Sequence, residues 1–339
     1  MHTRFVTTLA VLIALLAIGI SVHAQASATP TEIRIGYQRN GVWPLIKAKG
    51  VLEKLFPDAK VTWAVFPAGP QLLEALNAGS IDIGSTGDTP PIFAQAAGTP
   101  LVYVSVISGS GAGSAILVAE NSPLKTVADL KGKKIAFQKA SSAHLLTVKA
   151  LEQAGLSYKD IEPIFLAPSE ARAAFESGSI DAWTIWDPFR ASAIKEINAR
   201  ALVEGQDVAK SNGYIEASSD FVSKYPDTLK SILEQVREWQ SWIYDNKDEY
   251  AEILAKETGL DVAVIKFSLN SEVQQYRWID DEAIAAQQKV ADIFFNLGLI
   301  PAQLNIKDAV WIGGTNPAPE ATAAPEGEST PEATAAASG

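Results

Sequence analysis

The segment "GSID" occurs twice, at 79–82 and at 178–181, an offset of 99 residues. "IGYQ" at 35–38 answers "IAFQ" at 135–138 at an offset of 100, and Asp88 stands before a proline as Asp187 stands before Pro188, again 99 apart. Matches at one spacing mark a supersecondary unit used twice. Each copy alternates strand and helix. In the first, strand patterns at 32–38, 60–66, 81–85 and 100–108 are separated by helical ones at 44–56, 70–79 and 90–97. Gly69 is expected as N-cap before Pro70, and Gly79 as a left-handed stop. In the second, "KIAFQ", "IEPIFLA" (161–167) and "DAWTIW" are separated by helices at 142–154 and at "SEARAAFESG". This order predicts right-handed crossovers and a largely parallel sheet, and two such units make two lobes in place of one long sheet.

Ligands of open α/β sheets sit beyond the carboxyl ends of the strands, where loops lead into helix N-termini. That edge falls on Gln38 to Gly41 and Gly84 to Thr89 in the first copy, and on Gln138 to Ser142 and Trp186 to Pro188 in the second. Glycines let backbone N–H groups approach a ligand and hydroxyls add donors, so two such edges facing across a cleft suit a small anion. The same residues also make ordinary caps and turns, and Ser85, Thr86, Ser141 and Asp187 read equally well either way.

Composition narrows the chemistry. The 339 residues contain no cysteine, which removes disulfides, thiolate nucleophiles, cysteine-based zinc sites and a lipid-modified cysteine anchor together. Of three histidines, His2 and His23 fall in the first 26 residues, where Arg4 precedes an apolar run from Leu9 to Ile20 and small-residue cleavage patterns end at Ala24 and Ala26. That segment reads as a secretory signal peptide, so an extracytoplasmic chain is expected with His144 as its sole histidine. No histidine cluster can form, and neither metal nor cofactor is expected. The net charge of −11, with "KGKK" at 131–134 as the densest basic run, argues against nucleic acid and anionic membranes as partners. A small anion stays compatible, because backbone dipoles act at contact while distant net charge is screened.

Two stretches read as packing. Leu229, Ile232, Leu233, Val236, Trp239 and Ile243 recur at helical spacing, and "DEAIAAQQKVADIFFNLGLIP" has an acidic start and a Gly298 stop. Residues 316–339, without one large apolar side chain, read as a disordered tail.

Together the segments 66–104, "QKASSAH" (138–144), "WTIWDPF" (183–189) and "QQKVADIFFNLGLIP" (287–301) resemble the aliphatic sulfonate-binding proteins of ABC importers, within a wider group similar to nitrate- and taurine-binding proteins. The likeness runs from about residue 32 to about residue 313. It implies an α/β fold of the type II periplasmic-binding-protein kind, each lobe a mostly parallel sheet flanked by helices. Lobe one would comprise 31–115 and a helical 213–315, and lobe two 116–212, between the signal peptide (1–26) and the tail (316–339). It also implies a non-catalytic, monomeric receptor that captures a small organic anion, an aliphatic sulfonate foremost, and hands it to an ABC permease and its ATPase.

Carried over by motif, the pocket falls on Gln38, on Ser85, Thr86 and Gly87, on Ser141, Ser142 and His144, and on Trp186 with Asp187. Ala140 stands where a glycine is expected, and Arg190 is a departure that reads as a solvated helix face. Trp43, Trp183, Trp186 and Phe189 flank the loops; Trp186 is expected over the ligand's tail and Trp183 in the core. Asp88 and Asp187 are expected to cap their own helices, whereas projection into the cleft would favour an amine-bearing sulfonate such as taurine. His144, in a first helical turn, is expected to be neutral when empty and to gain a proton beside a sulfonate, so that affinity would rise in acid. The alternatives are taurine or nitrate in the same role, a receptor reporting to a membrane sensor, or an enzyme like the pyrimidine-precursor synthases, whose cysteine-rich motif is missing here.

Overall fold

The two copies of the repeat each build a sheet of their own in the computed structural model, which describes residues 29–270 and 274–313. The expected signal peptide and tail lie outside the described residues. The first copy runs β1 (Glu32–Tyr37), α1 (Trp43–Lys49), α2 (Val51–Leu55), β2 (Lys60–Val65), α3 (Gly69–Asn77), β3 (Ile83–Gly87), α4 (Thr89–Ala96) and β4 (Leu101–Ser108). The chain crosses over and continues as β5 (Ser114–Val118), β6 (Lys134–Phe137), α5 (Ser142–Gln153), β7 (Glu162–Phe165), α6 (Pro168–Glu176), β8 (Ala182–Trp186), α7 (Phe189–Glu196) and β9 (Arg200–Glu204). It returns as β10 (Asn212–Ser218), followed by α8 (Ser219–Lys224), α9 (Pro226–Asp245), α10 (Lys247–Thr258), α11 (Val262–Leu269), β11 (Gln275–Arg277) and α12 (Asp281–Asn296).

Corresponding strands hold corresponding places. The sheet orders are β11-β4-β10-β3-β1-β2 and β7-β6-β8-β5-β9, so β2-β1-β3 of one matches β7-β6-β8 of the other. These triplets pair in parallel. In each sheet the strand delivered by a crossing, β10 or β5, is wedged antiparallel between the third and fourth strands of the repeat. The four repeat strands therefore share one direction, and one reversed strand lies among them. Each crossing strand is hydrogen-bonded on both sides, so the lobes are joined through sheet interiors instead of a loose tether.

Local chemistry explains where elements depart from the pattern. The expected helix 44–56 is two helices, because Gly50 takes φ 59° and its N–H closes α1 onto Ile46 and Lys47 before Val51 restarts the winding. α3 starts one residue early, with Ala68 as its N-cap in place of Gly69. β3 starts at Ile83, two residues later than expected, because the Asp82 carboxylate is turned aside to accept the Arg34 N–H at 2.8 Å and to pair with the Arg34 guanidinium. That shift puts Ser85, Thr86 and Gly87 at the strand's carboxyl end. The stretch expected to be helical from 213 instead opens with β10.

The core follows the apolar periodicity. Leu229, Ile232, Leu233, Val236 and Ile243 of α9 are buried against β1 residues Ile33 and Ile35, with Trp239 only partly covered. In α12, Val290 and Phe294 are buried while Phe295 and neighbouring Leu297 are exposed.

Ala140, between β6 and α5, adopts φ 59°. The left-handed region costs an L residue about 1–2 kcal/mol, of which glycine would recover all but the roughly 0.5–1 kcal/mol its looser unfolded chain loses. Ala140→Gly is expected to raise the free energy of urea unfolding by up to about 1 kcal/mol. A measured decrease would show that the Ala140 methyl contributes more by packing than its backbone loses by strain.

Candidate functional site

A cavity of about 250 Å³ lies where the carboxyl ends of the two sheets face each other. It is lined by the ends of β1, β3 and β8, by the start of α5, and by both crossings, Gly109 to Ser114 and Ser211 to Gly213. Gln38, Ser85, Thr86, Gly87, Ser141, Ser142, Trp186 and Asp187 all line it. Residues that lie far apart along the chain are thus brought to one space.

Two of the helices that begin at this space, α4 and α5, have N-cap residues that make no side-chain capping bond. Asp88 and Ser141 are the N-cap residues of α4 and α5, and neither side chain accepts a backbone N–H of its own helix. α8, α11 and α12 are capped by Ser218, Asp261 and Asp280, whereas α1, α2, α3, α9 and α10 also lack a capping side chain, so it is their place at the cavity that sets α4 and α5 apart. At α5 the first-turn N–H groups of Ser142 and Ala143 are left for a ligand with the positive end of the helix dipole behind them, whereas α4, whose first turn is Thr89-Pro90-Pro91, can offer only the Thr89 N–H. The two starts touch: a Cβ on Gly87 would come within 1.9 Å of Ser142 Oγ and 3.1 Å of Ser142 Cβ, so a side chain there would force the Ser142 hydroxyl to rotate away and its helix to give slightly.

Hydrogen-bond accounting sorts the hydroxyls. Ser85 Oγ accepts from Trp43 Nε1 at 2.9 Å, which leaves its own proton for the cavity. Gln38 Nε2 donates to Ser85 O at 3.3 Å and holds the same strand end from the side. Ser141 lines the cavity, but its hydroxyl proton goes to Gln138 O at 2.7 Å, so it shapes the turn and offers only lone pairs. Thr86 Oγ1 lies 2.8 Å from Glu216 Oε1 and 3.1 Å from Gly87 O.

His144 is the exception among the expected pocket residues. It is fully buried outside the cavity lining, 5.0 Å from the Phe137 ring and 5.1 Å from that of Phe294, with Tyr158 Oη 3.0 Å from its Nε2. As the third residue of α5 its side chain leans back along the helix into the apolar seam between α4, α5 and α12. Burial, helped by Lys139, pushes its ring down to about 4. The titration near neutrality expected from it is therefore absent.

The acidic pair behaves asymmetrically. Asp187 caps α7, accepting the Ala191 N–H at 3.0 Å. Arg190, expected on a solvated face, is only 6% exposed and bridges Asp187 at 3.3 Å and Glu204 at 3.0 Å. Burial pushes the Asp187 carboxyl up to about 7, against the opposing pull of Arg190. Asp88 does not cap α4; it accepts hydroxyl protons from Thr89 and Ser211, each at 2.9 Å.

Of the tryptophans, Trp43 and Trp183 are fully buried, and Trp186 lines the cavity with Phe189 edge-on at 6.4 Å. The opposite wall went unread in the sequence: Ile243, Tyr244, Tyr250, Leu254, Leu269 and Tyr276 line it, with Lys247 at its rim. Periodicity placed Ile243 on a buried face, but a face that ends at a cavity has the same period as one that ends in a core. The first crossing carried a usable sign, the glycine run "GSGAG" at 109–113. Among the described residues no cluster of His, Cys, Asp and Glu could hold a metal.

The chain matches the family model described as NMT1-like over residues 26–257. It is 44% identical to a protein of Escherichia coli K12 named for binding aliphatic sulfonates, over 84% of this chain and 90% of that one. A Bacillus subtilis 168 protein of the same name is 33% identical over 82% and 85% of the two chains. Among solved structures, the alkanesulfonate-binding protein SsuA of Xanthomonas axonopodis pv. citri bound to MOPS superposes with a TM-score of 0.82 at 40% identity, covering 84% of this chain and 99% of that one.

Two outcomes are expected from this geometry. Gly87→Ala should hold the lobes apart and weaken binding of a small oxyanion by at least about tenfold, read by calorimetry; unchanged affinity would mean that the Gly87–Ser142 approach is not needed in the complex. Asp187 titrates above its ordinary 3.8, so the fold favours its protonated form, and its contribution to stability is lost as pH rises through about 7. A bound anion favours the same form. Affinity should therefore fall as pH rises through about 7 and be flat in Asp187→Asn. A slope that survives that substitution would assign the titration to another group.

Proposed function

The chain belongs to the NMT1-like family, among the aliphatic sulfonate-binding proteins, and from that premise we propose that it is an extracytoplasmic receptor that captures an aliphatic sulfonate for an ABC permease. The observation that carries this reading is the strand end Ser85-Thr86-Gly87 of one lobe and the start of α5 at Ser141-Ser142 of the other, converging on one small cavity. A sulfonate head spreads one charge over three oxygens, and backbone N–H groups with the Ser85 hydroxyl are donors of the right kind for it. Each hydrogen bond to a charged group contributes roughly 1.5–3 kcal/mol and each helix N-terminus roughly 0.3–1 kcal/mol. Four or five such contacts reach the ~8 kcal/mol of a micromolar complex after association costs.

The organic part decides between anions. Trp186 on one side and Tyr244, Tyr250 and Leu254 on the other give the cavity an apolar and aromatic wall, which an alkyl chain would cover. Nitrate has nothing to lay against that wall. The relative bound to MOPS, a sulfonate with a bulky substituent, supports the same choice. The molecule is a binding protein and not an enzyme: its near relatives carry binding names, and its sequence has no cysteine for the nucleophile of the rival reading.

In this role residues 1–26 direct export and are removed, and the mature chain acts as a monomer. Segments 31–115 and 213–315 move as one lobe against 116–212, closing over the ligand and presenting it to the permease and its ATPase. The reading is tested by calorimetry against ethanesulfonate, MOPS, taurine and nitrate. Ethanesulfonate and MOPS are expected to bind in the micromolar range or tighter, and nitrate at least about a hundredfold more weakly. Nitrate binding as tightly as ethanesulfonate would sink the assignment.

A further inference from the structure

Behind the cavity, in the middle of the first sheet, stands a carboxyl that no ion pair among the described residues reaches. Glu216 lies on β10 between β3 and β4 and is fully buried. Its Oε1 is 2.8 Å from Thr86 Oγ1, its Oε2 has no partner at full hydrogen-bond geometry, and the backbone N–H groups of Thr86 and Glu216 pull against the larger effect of burial. Tyr103 of β4 and Tyr214 of β10 are the titratable groups beside it, with Asp88 beyond Tyr214. No cation offsets a charge placed there, and burial pushes the carboxyl well above its usual range.

The Thr86 hydroxyl has one proton and two close neighbours, Glu216 Oε1 and the Gly87 carbonyl at 3.1 Å. If Glu216 were ionised, both neighbours would be acceptors. The hydroxyl proton would go to the carboxylate, and Thr86 would turn lone pairs toward an anion in the cavity it lines. A neutral acid reverses the polarity, because its own proton can occupy the Oε1–Oγ1 contact.

Building on the sulfonate reading above, we propose that Glu216 is a positioning residue that stands as a neutral acid, donating to Thr86 Oγ1 so that the Thr86 hydroxyl donates to the bound anion. The proton never leaves Glu216 during binding; it only fixes which way Thr86 points. A carboxylic acid beneath an anion site then adds a donor chain where a carboxylate would add repulsion.

Infrared difference spectra of wild type against Glu216→Gln at neutral pH should show the C=O stretch of a buried, protonated carboxyl in the wild type alone. Thr86→Val should weaken ethanesulfonate binding about tenfold, and by the same factor in the Glu216→Gln background, where the amide N–H₂ replaces the acid as donor. Absence of the carboxyl band overturns the proposal. So does tenfold tighter binding by Glu216→Gln, which would mean that the wild-type group is charged. If Glu216→Gln does not fold, Thr86→Val in the wild type still decides: unchanged affinity would show that the hydroxyl makes no bond to the anion. Failure of wild type to bind any sulfonate would defeat the functional reading instead, and would leave the infrared result to judge the protonation of Glu216.

Discussion

Two helix starts left without caps, pressed against each other across a glycine, are the constraint around which the rest of this molecule is arranged. A buried N–H with no partner costs about 1–3 kcal/mol, so a first-turn amide of α5 that faces the cavity gains when a ligand supplies an acceptor. Ser218, Asp261 and Asp280 cap α8, α11 and α12, while α1, α2, α3, α9 and α10 also start without a capping side chain, so the place of a helix start matters more than its lack of a cap. At α4 and α5 the chain supplies Asp88 and Ser141, and directs their side chains to Ser211, Thr89 and Gln138. Both side chains make bonds other than a backbone cap, and the first-turn amides of α5 are left for a ligand.

The sheet topology is what lets these starts meet. Because β10 and β5 are each inserted into a sheet interior, the two lobes share their central strands' neighbours, and both crossings run directly past the cavity. A small rotation about such crossings changes the cleft without breaking either sheet. The seam behind the cleft is apolar: Phe93 and Phe294 of one lobe pack around His144, whose other neighbours Phe137 and Phe165 belong to the second. Net charge counts for little here. A chain of charge −11 can host an anion because only Asp187 and Lys247 among the residues lining the cavity carry formal charges, and Asp187 is paired with Arg190.

Much of this was legible from residue order. The twin "GSID" segments and their flanking strands predicted two like sheets, because β-strand and helix periods differ enough to be told apart at these lengths. The loops at the strand ends were legible because a strand running into small residues and a helix start places them at the carboxyl edge of a sheet, although serine and aspartate there serve equally as caps and turns. What remained hidden needed the third dimension. His144 follows two serines of the pocket motif, yet one helical step turns it into the seam between lobes. Arg190 looked solvated because nothing nearby in sequence announces Glu204, which reaches it from the end of β9. Ile243, Tyr244 and Tyr250 read as packing, since the pattern that faces a core also faces an apolar wall.

The two copies of the repeat share a frame but not a chemistry, and the difference matches the shape of the proposed ligand. Asp88 and Asp187 hold equivalent places, each after the third strand of its unit, yet one is surrounded by hydroxyls and the other by a guanidinium and a helix N–H. The first copy ends its strand in Ser85, Thr86 and Gly87, small residues that expose donors; the second ends in Trp186. A ligand with two like ends would be served by two like edges. An aliphatic sulfonate has a charged head that needs donors and a tail that needs apolar cover, so a duplicated unit can serve it only once its halves have diverged. The glycine that lets the lobes approach falls in the donor copy, at Gly87, where its equivalent position in the second copy is Trp186 itself. Donors and apolar cover each come from both lobes, Ser85 facing the start of α5 and Trp186 facing Tyr244, Tyr250 and Leu254, so a molecule with a charged head and an apolar tail engages both walls at once, which is the differential contact that closure requires.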